Sequence, residues 1–244
     1  MKTLPLALLL LASASRAEVR EITTMSEIRP ELTPETLLVF DIDNTLVEPV
    51  GNLGSDQWYY YLVKAVARDN KDLSADLAET MAGEIWTKML PTVTVKPVED
   101  MTPALVREQQ RRGLKIMALT ARGVEDAQAT FAQLKAIGVD LTATAVRKED
   151  LKTGRNGLYS NGVFFVGEGP NKGVTLVAFL KKLGLRPKKI VFVDDKPHHA
   201  KNVDAALSAA GIPCVSFRYG AADGKVRAFN AVMDEAADKA GAEL

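Results

Sequence analysis

The sequence has little cysteine, little histidine and no excess of charge of either sign. Cys214 is the only cysteine among 244 residues, which excludes an internal disulfide. We expect its thiol, in the apolar run IPCVSF, to pack as a small hydrophobic group rather than to act as a nucleophile. The two histidines, His198 and His199, are adjacent, and this disfavours a His-rich zinc site. Lys plus Arg and Asp plus Glu both number 31, so nothing in the charge balance indicates nucleic acid as a partner.

No apolar run is long enough to cross a bilayer, which takes about 20 residues. Residues 4–12 form a short apolar run between Lys2 and a series of small residues, with Ser15 and Ala17 placed as the −3 and −1 positions of a cleavage site. This pattern predicts a signal peptide over residues 1–17, with a membrane anchor or a buried first helix as the alternative. We therefore expect a periplasmic or secreted protein with no membrane span after cleavage.

Short apolar runs alternate with helical patterns along the rest of the chain. The predicted strands are residues 36–42, 114–120, 141–146, 189–194 and 212–217. The predicted helices are residues 103–113, 125–138, 172–184 and 199–211, preceded by a short helix near residues 25–28. This alternation predicts βαβ units, and hence a Rossmann-like α/β fold with a mainly parallel sheet flanked by helices.

Two segments interrupt the alternation. Residues 50–97 contain two helical stretches, which predict a small α-helical cap inserted into an α/β core of residues 18–49 and 98–244. Residues 155–168 contain two Asn-Gly pairs between apolar residues, the pattern of a β-hairpin. The first segment could cover the site and the second could project from the sheet; alternatively, both simply cover the sheet.

Polar residues stand where predicted strands end or where a helix begins. They are Asp41 and Asp43 at the first strand, Thr120 at the second, Asp194 and Asp195 at the fourth, and Lys172 at the start of a helix. Residues i and i+2 of an extended segment point to the same face, so Asp41 and Asp43 can share one pocket. Open α/β sheets bind their ligands beyond the carboxyl ends of the strands, which is where these residues are expected to meet.

Four carboxylates in one pocket would repel one another unless a cation lies between them. Mg²⁺ prefers oxygen ligands and usually keeps water molecules, which leaves positions for a phosphate. A hydroxyl at Thr120 and an ammonium group at Lys172 are suited to phosphoryl oxygens. The sequence therefore predicts Mg²⁺ as the cofactor and a small phosphorylated molecule as the substrate.

Taken in order, these motifs resemble those of the haloacid dehalogenase-like (HAD) superfamily. DIDNTL is similar to its first motif and ALTAR to its second, an apolar strand ending in Thr or Ser. NKG is similar to the third, a Lys that opens a helix, and VFVDDK to the fourth, a strand ending in paired acids. The resemblance covers roughly residues 36–217.

The resemblance implies roles for the two acids of the first motif. Asp41 would be the nucleophile that forms an aspartyl-phosphate. Asp43 would protonate the leaving oxygen and then accept a proton from the hydrolytic water. It also implies that Mg²⁺ is held by the Asp41 carboxylate, the Asp43 main-chain carbonyl and the Asp194 carboxylate.

The remaining motif residues are assigned by the same resemblance. Thr120 and the backbone N–H of Ala121 would bind the phosphoryl group together with Lys172. Asp195 would orient water or Lys172 without holding the metal itself. Arg122, next to this phosphate-binding pair, is a candidate for contact with the rest of the substrate.

The function implied is an exported, Mg²⁺-dependent phosphatase acting on a phosphomonoester. Asp43 argues against carbon–halogen cleavage, because relatives that break such bonds lack an acid at that position. Two alternatives stay open: a HAD-like phosphate- or metal-binding protein with little or no turnover, and a phosphotransferase to an acceptor other than water. The aromatic run WYYYLV, residues 58–63, is either a cap wall that selects substrates or the core face of a cap helix.

Overall fold

The computed structural model describes residues 19–167, residue 169 and residues 171–242, with side chains as far as residue 235. The predicted signal peptide, residues 1–17, lies outside the described residues. The strands are β1 Arg20–Ile22, β2 Thr36–Phe40, β3 Val47–Pro49, β4 Val95–Pro97, β5 Lys115–Thr120, β6 Leu151–Thr153, β7 Gly157–Ser160, β8 Val163–Phe165, β9 Lys189–Asp194 and β10 Cys214–Tyr219. The α-helices are α1 Asp56–Asp69, α2 Ala75–Met89, α3 Thr102–Arg111, α4 Ala127–Ala136, α5 Lys172–Lys182, α6 Pro197–Ala209 and α7 Asp223–Ala242. Short 3₁₀ helices form at Met25–Glu31, Leu90–Thr92, Val124–Asp126 and Thr142–Thr144.

Among the described residues, eight strands form one sheet in the order β1-β10-β9-β2-β5-β8-β7-β6. The strands from β1 to β8 in this order pair in parallel, and the β8–β7 and β7–β6 pairs are antiparallel. After β2 and β5 the chain forms β6, β7 and β8 on the same side of β2, and it then crosses to the other side of β2 to form β9 and β10. The mainly parallel Rossmann-like fold predicted from the sequence is confirmed, and the order of the strands reverses at β2.

Both faces of the sheet are buried, which explains why its central strands are apolar without alternation. In β2, Leu38 and Phe40 pack into the core on one face, while Leu37 and Val39 pack into the core on the other. Helices α3 and α4 contribute to the first core, and α5 and α6 to the second. In the described part of the chain, no helix is both long and apolar enough to cross a membrane.

The predicted strand at residues 141–146 is wrong. Asp140 Oδ1 accepts hydrogen bonds from both the backbone N–H and the hydroxyl of Thr142, at 2.8 and 2.6 Å. These bonds favour a turn over an extended backbone, and the segment forms the 3₁₀ helix Thr142–Thr144. The place beside β5 is taken by β8, with Ala118 opposite Val163.

The β-hairpin signal at residues 155–168 corresponds to β7 and β8, joined by Asn161 and Gly162. Both turn residues have positive φ, 51° and 80°, as a two-residue type I′ turn requires. A Cβ at Gly162 would lie 2.7 Å from the backbone oxygen of Leu141, so the position also needs glycine for space. The hairpin extends the main sheet instead of projecting from it.

The segment of residues 50–97, called here the helical insertion, contains α1 and α2 and is bounded by the antiparallel pair β3 and β4. Each helix begins at a serine whose hydroxyl accepts a backbone N–H: Ser55 from Trp58 and Ser74 from Leu77. The two helices pack through aromatic contacts, with the rings of Trp58 and Trp86 stacked at 6.4 Å. Its role as a separate cap stays a prediction.

Cys214 begins β10 and is partly buried against Ser216, whose hydroxyl lies 3.3 Å from the thiol. Burial raises the pKa of the Cys214 thiol to about 12. The group is therefore protonated at neutral pH, as befits a packing residue rather than a nucleophile.

Candidate active site

The loop after β2 turns sharply at the carboxyl edge of the sheet and carries the first acidic motif. The carbonyl of Ile42 accepts the backbone N–H groups of Leu46 and Val47, while Asn44 adopts a left-handed conformation with φ of 57°. Ile42 and Leu46 are fully buried in the core, which anchors the turn. Asp41 is held to β9 by a bond from its N–H to the Val193 carbonyl, and its side chain is directed into a buried site.

Lys172 joins the ends of two neighbouring strands at the centre of this site. Its ammonium group donates to Asp41 Oδ1 at 2.5 Å and to Asp194 Oδ2 at 2.7 Å. The carboxylates of Asp41, Asp194 and Asp195 are all buried and lie close enough together, within 4.8 Å, to hold one metal ion. The structure thus brings together acids from two motifs and the lysine of a third.

The start of α5 is fixed so that Lys172 points inward. Asn171 caps the helix, its side-chain oxygen accepting the N–H of Val174 at 2.9 Å. Gly173 allows α5 to approach α6 closely, because a Cβ there would lie 2.2 Å from the backbone oxygen of Asn202. The NKG sequence therefore combines a helix cap, a charged group and a residue that permits close packing.

Asp43 faces a different partner. Arg122 donates from Nε and Nη2 to the two Asp43 carboxylate oxygens, both at 2.8 Å. Its Nη1 donates hydrogen bonds to the Thr130 hydroxyl at 3.0 Å and to the Gln133 side-chain oxygen at 2.8 Å. Sequence reasoning proposed Arg122 as a substrate contact and missed this ion pair, for which the sequence gives no signal because the two residues are 79 positions apart.

Lys196, unlike Arg122, was not singled out from the sequence. Its ammonium group lies 2.5 Å from Asp56 Oδ2 at the start of α1 and 3.3 Å from Asp195 Oδ2. Its backbone N–H donates to Asp194 Oδ1 at 2.8 Å. Lys196 therefore connects the helical insertion to the acids that follow β9.

The electrostatics of the site follow from burial opposed by these cations. Burial raises the pKa of Asp41 well above its usual range, although Lys172 opposes the shift. Burial also disfavours ionisation of Asp194, but Lys172 and then His199 outweigh it and hold its pKa down at about 2. Asp195 is raised to about 7, chiefly by burial. For Lys172, burial lowers the pKa, but Asp194 and Asp41 outweigh it and the pKa is raised.

The charges of the described residues at this site do not balance. The carboxylates are Asp41, Asp43, Asp56, Asp194 and Asp195, and the cationic groups are Arg122, Lys172 and Lys196. Five negative and three positive charges leave an excess of two negative charges when all are ionised. Oxygen ligands with this excess fit a hard divalent cation such as Mg²⁺ better than the nitrogen- and sulfur-preferring Zn²⁺.

Thr120 and Ala121 lie next to this cluster at the end of β5. The Thr120 hydroxyl accepts the backbone N–H of Arg122 at 3.1 Å, which fixes its position, and Ala121 is exposed. A cleft of about 340 Å³ reaches the site at Asp43, Ala121 and Arg122 and runs between the helical insertion and the loop of residues 121–126. Ala121, predicted to bind a phosphoryl group, therefore lines this cleft.

A family model described as "Protein of unknown function (DUF2608)" matches residues 21–240. A relative in Chlamydia trachomatis serovar D, named "Putative outer membrane protein", is 22% identical over 212 residues, covering 86% of this chain and 79% of the relative. An uncharacterized protein of Rickettsia prowazekii is 23% identical over 211 residues, covering 80% of this chain and 73% of the relative. Among solved structures, a haloacid dehalogenase-like hydrolase from Streptococcus pneumoniae aligns with a TM-score of 0.46 at 15% identity, covering 76% of this chain and 85% of that chain.

Proposed function

The chain belongs to the family described as "Protein of unknown function (DUF2608)", and we propose that it is an exported, Mg²⁺-dependent phosphatase that hydrolyses a phosphomonoester. Its fold is haloacid dehalogenase-like, with the four motif segments at the carboxyl edge of the parallel sheet. The observation that carries the proposal is the junction of Asp41, Lys172 and Asp194, which come from three separate elements and form one buried charged cluster. A structural role alone gives no reason to bury such a cluster, since buried charges are costly.

In the proposed reaction Asp41 is the nucleophile. One of its carboxylate oxygens attacks phosphorus, a P–O bond to Asp41 forms, and the bond to the leaving oxygen breaks. Lys172 stabilises the ionised form of Asp41 against the effect of burial, and Thr120 and the Ala121 N–H bind phosphoryl oxygens. A Mg²⁺ ion held by Asp41 and Asp194, with Asp195 beside it, would supply charge stabilisation for the phosphoryl group.

Asp43 moves the protons in both halves of the reaction. As a carboxylic acid it gives its proton to the leaving oxygen, and as a carboxylate it then takes a proton from the water that cleaves the aspartyl-phosphate. Arg122 holds this carboxylate at the mouth of the cleft, where the leaving group of a bound ester would stand. Inorganic phosphate and the free alcohol are the products.

Replacement of Asp43 by asparagine tests this assignment. The amide can still accept a hydrogen bond from Arg122, but it cannot exchange a proton, so kcat should fall by about 10²–10⁴-fold with a much smaller change in KM. The measurement is steady-state hydrolysis of an aryl phosphate with added Mg²⁺. An unchanged kcat in a variant that melts at the wild-type temperature would refute the role of Asp43.

The proposed activity itself is tested with purified mature protein, Mg²⁺ and a panel of phosphomonoesters that includes an aryl phosphate. Release of inorganic phosphate from at least one ester supports a phosphatase. Transfer of the phosphoryl group to added alcohols instead of water would indicate a phosphotransferase. Absence of turnover with every ester and metal would favour a phosphate- or metal-binding protein.

Export is proposed from the residue pattern of the N-terminus and agrees with the name carried by the Chlamydia relative. We expect the full chain, expressed in a Gram-negative host, to be recovered from the periplasm or medium with a mass that lacks residues 1–17. The variant Leu8→Arg, which puts a charge into the apolar run, should remain in the cytosol at full length. Recovery of uncleaved wild-type protein in the cytosol would contradict the proposal.

A further inference from the structure

Lys196 follows the paired acids at the end of β9 and contacts both of them. Its backbone N–H donates to Asp194 Oδ1 at 2.8 Å, and its ammonium group lies 3.3 Å from Asp195 Oδ2. The same ammonium group donates to Asp56 Oδ2 at 2.5 Å. It also lies 5.4 Å from the centre of the Tyr60 ring, a distance suited to a cation–π contact. The lysine side chain thus joins an acid of the proposed metal site to two residues of α1.

A second set of contacts reaches the same oxygen of Asp195 from α1. The Asn44 side-chain amide donates to Asp195 Oδ2 at 3.3 Å and to the side-chain oxygen of Gln57 at 3.4 Å. Gln57 follows Asp56 in the first turn of α1 and is buried. Two neighbouring residues of the helical insertion are therefore connected to Asp195, one through Lys196 and the other through Asn44.

The start of α1 is itself fixed within the helical insertion. Ser55 is fully buried, and its hydroxyl donates to the Asn52 carbonyl at 2.6 Å and accepts the Trp58 N–H at 3.2 Å. The Trp58 ring stacks on that of Trp86 in α2. Capping and packing therefore give Asp56 a defined position, from which it can anchor the lysine.

The stability of α1 does not explain why Lys196 contacts both acids. Asp56 occupies the first turn of the helix, where the positive end of the helix dipole already favours a carboxylate. Asp195, by contrast, is buried beside two further acids, whose repulsion would move its carboxylate unless donors hold it. The donors at its Oδ2 meet this need, and this points to a role at the metal site.

We propose that Lys196 is a positioning residue that holds the Asp195 carboxylate in place at the Mg²⁺ site by anchoring it to α1. The inference rests on the proposed function, because it assumes that Mg²⁺ binds at Asp41 and Asp194. The helical insertion is thereby a part of the metal site, with Asp56 as the anchor. Replacement of a residue that orients a metal site without binding the ion typically weakens metal affinity by about 10–100-fold.

The test measures Mg²⁺ affinity by titration calorimetry, without substrate, in mature protein freed of metal by chelation and dialysis. Lys196→Met removes a positive charge near the site, so electrostatics alone predicts tighter Mg²⁺ binding. Loss of positioning predicts the opposite, and we expect the affinity to fall by about tenfold or more. Lys196→Arg, which keeps a cationic donor for both acids, should restore most of the affinity.

A double variant, Asp56→Asn with Lys196→Met, separates positioning from charge balance. Its net charge equals that of the wild type, because one acid and one base are removed together. Charge balance alone would return the Mg²⁺ affinity to the wild-type value. Loss of the connection to α1 should instead leave the affinity about as weak as in Lys196→Met, since both substitutions break the same contact.

Lys188→Met is the matched control. Lys188 pairs with Glu35 just before β9 and β2 begin, at the edge of the sheet opposite the acids. This variant should bind Mg²⁺ as the wild type does. Melting temperatures measured in chelator show which variants are folded, and if Lys196→Met does not fold, the charge-matched double variant decides the question in the same way.

Three results would each overturn the inference: Mg²⁺ affinity in Lys196→Met equal to or above that of the wild type, recovery in the double variant, or no rescue by arginine. If the wild type itself binds no Mg²⁺, the proposed metal site fails together with the inference. Hydrolysis of an aryl phosphate by the wild type, measured in parallel, shows whether phosphatase activity survives in that case.

Discussion

Replacement of Asp41 by asparagine should abolish phosphate release, lowering kcat by at least about 10⁴-fold, as expected when the nucleophile of a covalent mechanism is removed. The amide oxygen cannot form the aspartyl-phosphate, and neither Asp43 nor a neighbouring acid can take its place without moving the substrate. The measurement is hydrolysis of an aryl phosphate with Mg²⁺, followed over several hours to reach low rates.

The fold should survive this substitution. Lys172 keeps its second partner, Asp194, at 2.7 Å, and the replacement has nearly the same volume. The melting temperature should therefore remain close to that of the wild type, and the charge-matched surface variant Asp72→Asn should retain full activity. A folded Asp41→Asn protein with more than about a tenth of the wild-type kcat would show that Asp41 is not the nucleophile.

Removal of divalent cations should have an effect of similar size, about 10⁴-fold or more on the rate, since a metal ion contributes several kcal/mol of transition-state stabilisation. Without a divalent cation, the acids of the site, which exceed its cations by two charges when all are ionised, face the negatively charged phosphoryl group of the substrate. Chelation followed by dialysis should abolish activity, and Mg²⁺ should restore it better than Zn²⁺ does.

Metal binding can also be measured without turnover. Mg²⁺ should raise the melting temperature of the chelated protein, because an ion that binds only the folded state stabilises it. The shift should be reduced in Asp194→Asn and retained in Asp72→Asn. Full activity in the presence of chelator, or recovery with Zn²⁺ alone, would contradict the assignment of Mg²⁺.

Local sequence was sufficient for most of the architecture. Strands such as β2 and β9 are apolar on both faces because helices cover the sheet on both sides, and that pattern is readable in the residues themselves. The Asn161-Gly162 turn is equally local, because only residues that tolerate positive φ can form it. The strand predicted at residues 141–146 failed because the bonds of the Asp140 side chain to Thr142 outweighed the β propensity of the segment.

The sequence by itself determined which acids, hydroxyl and lysine stand at the ends of strands or the start of a helix. These positions depend on periodicity and capping over a few residues. Only the tertiary structure decided which charged groups are paired. Lys172 pairs with Asp41 across 131 positions, Arg122 with Asp43 across 79, and Lys196 with Asp56 across 140. Such pairs depend on the order of the strands and on the placement of the helical insertion, which result from packing of the whole chain.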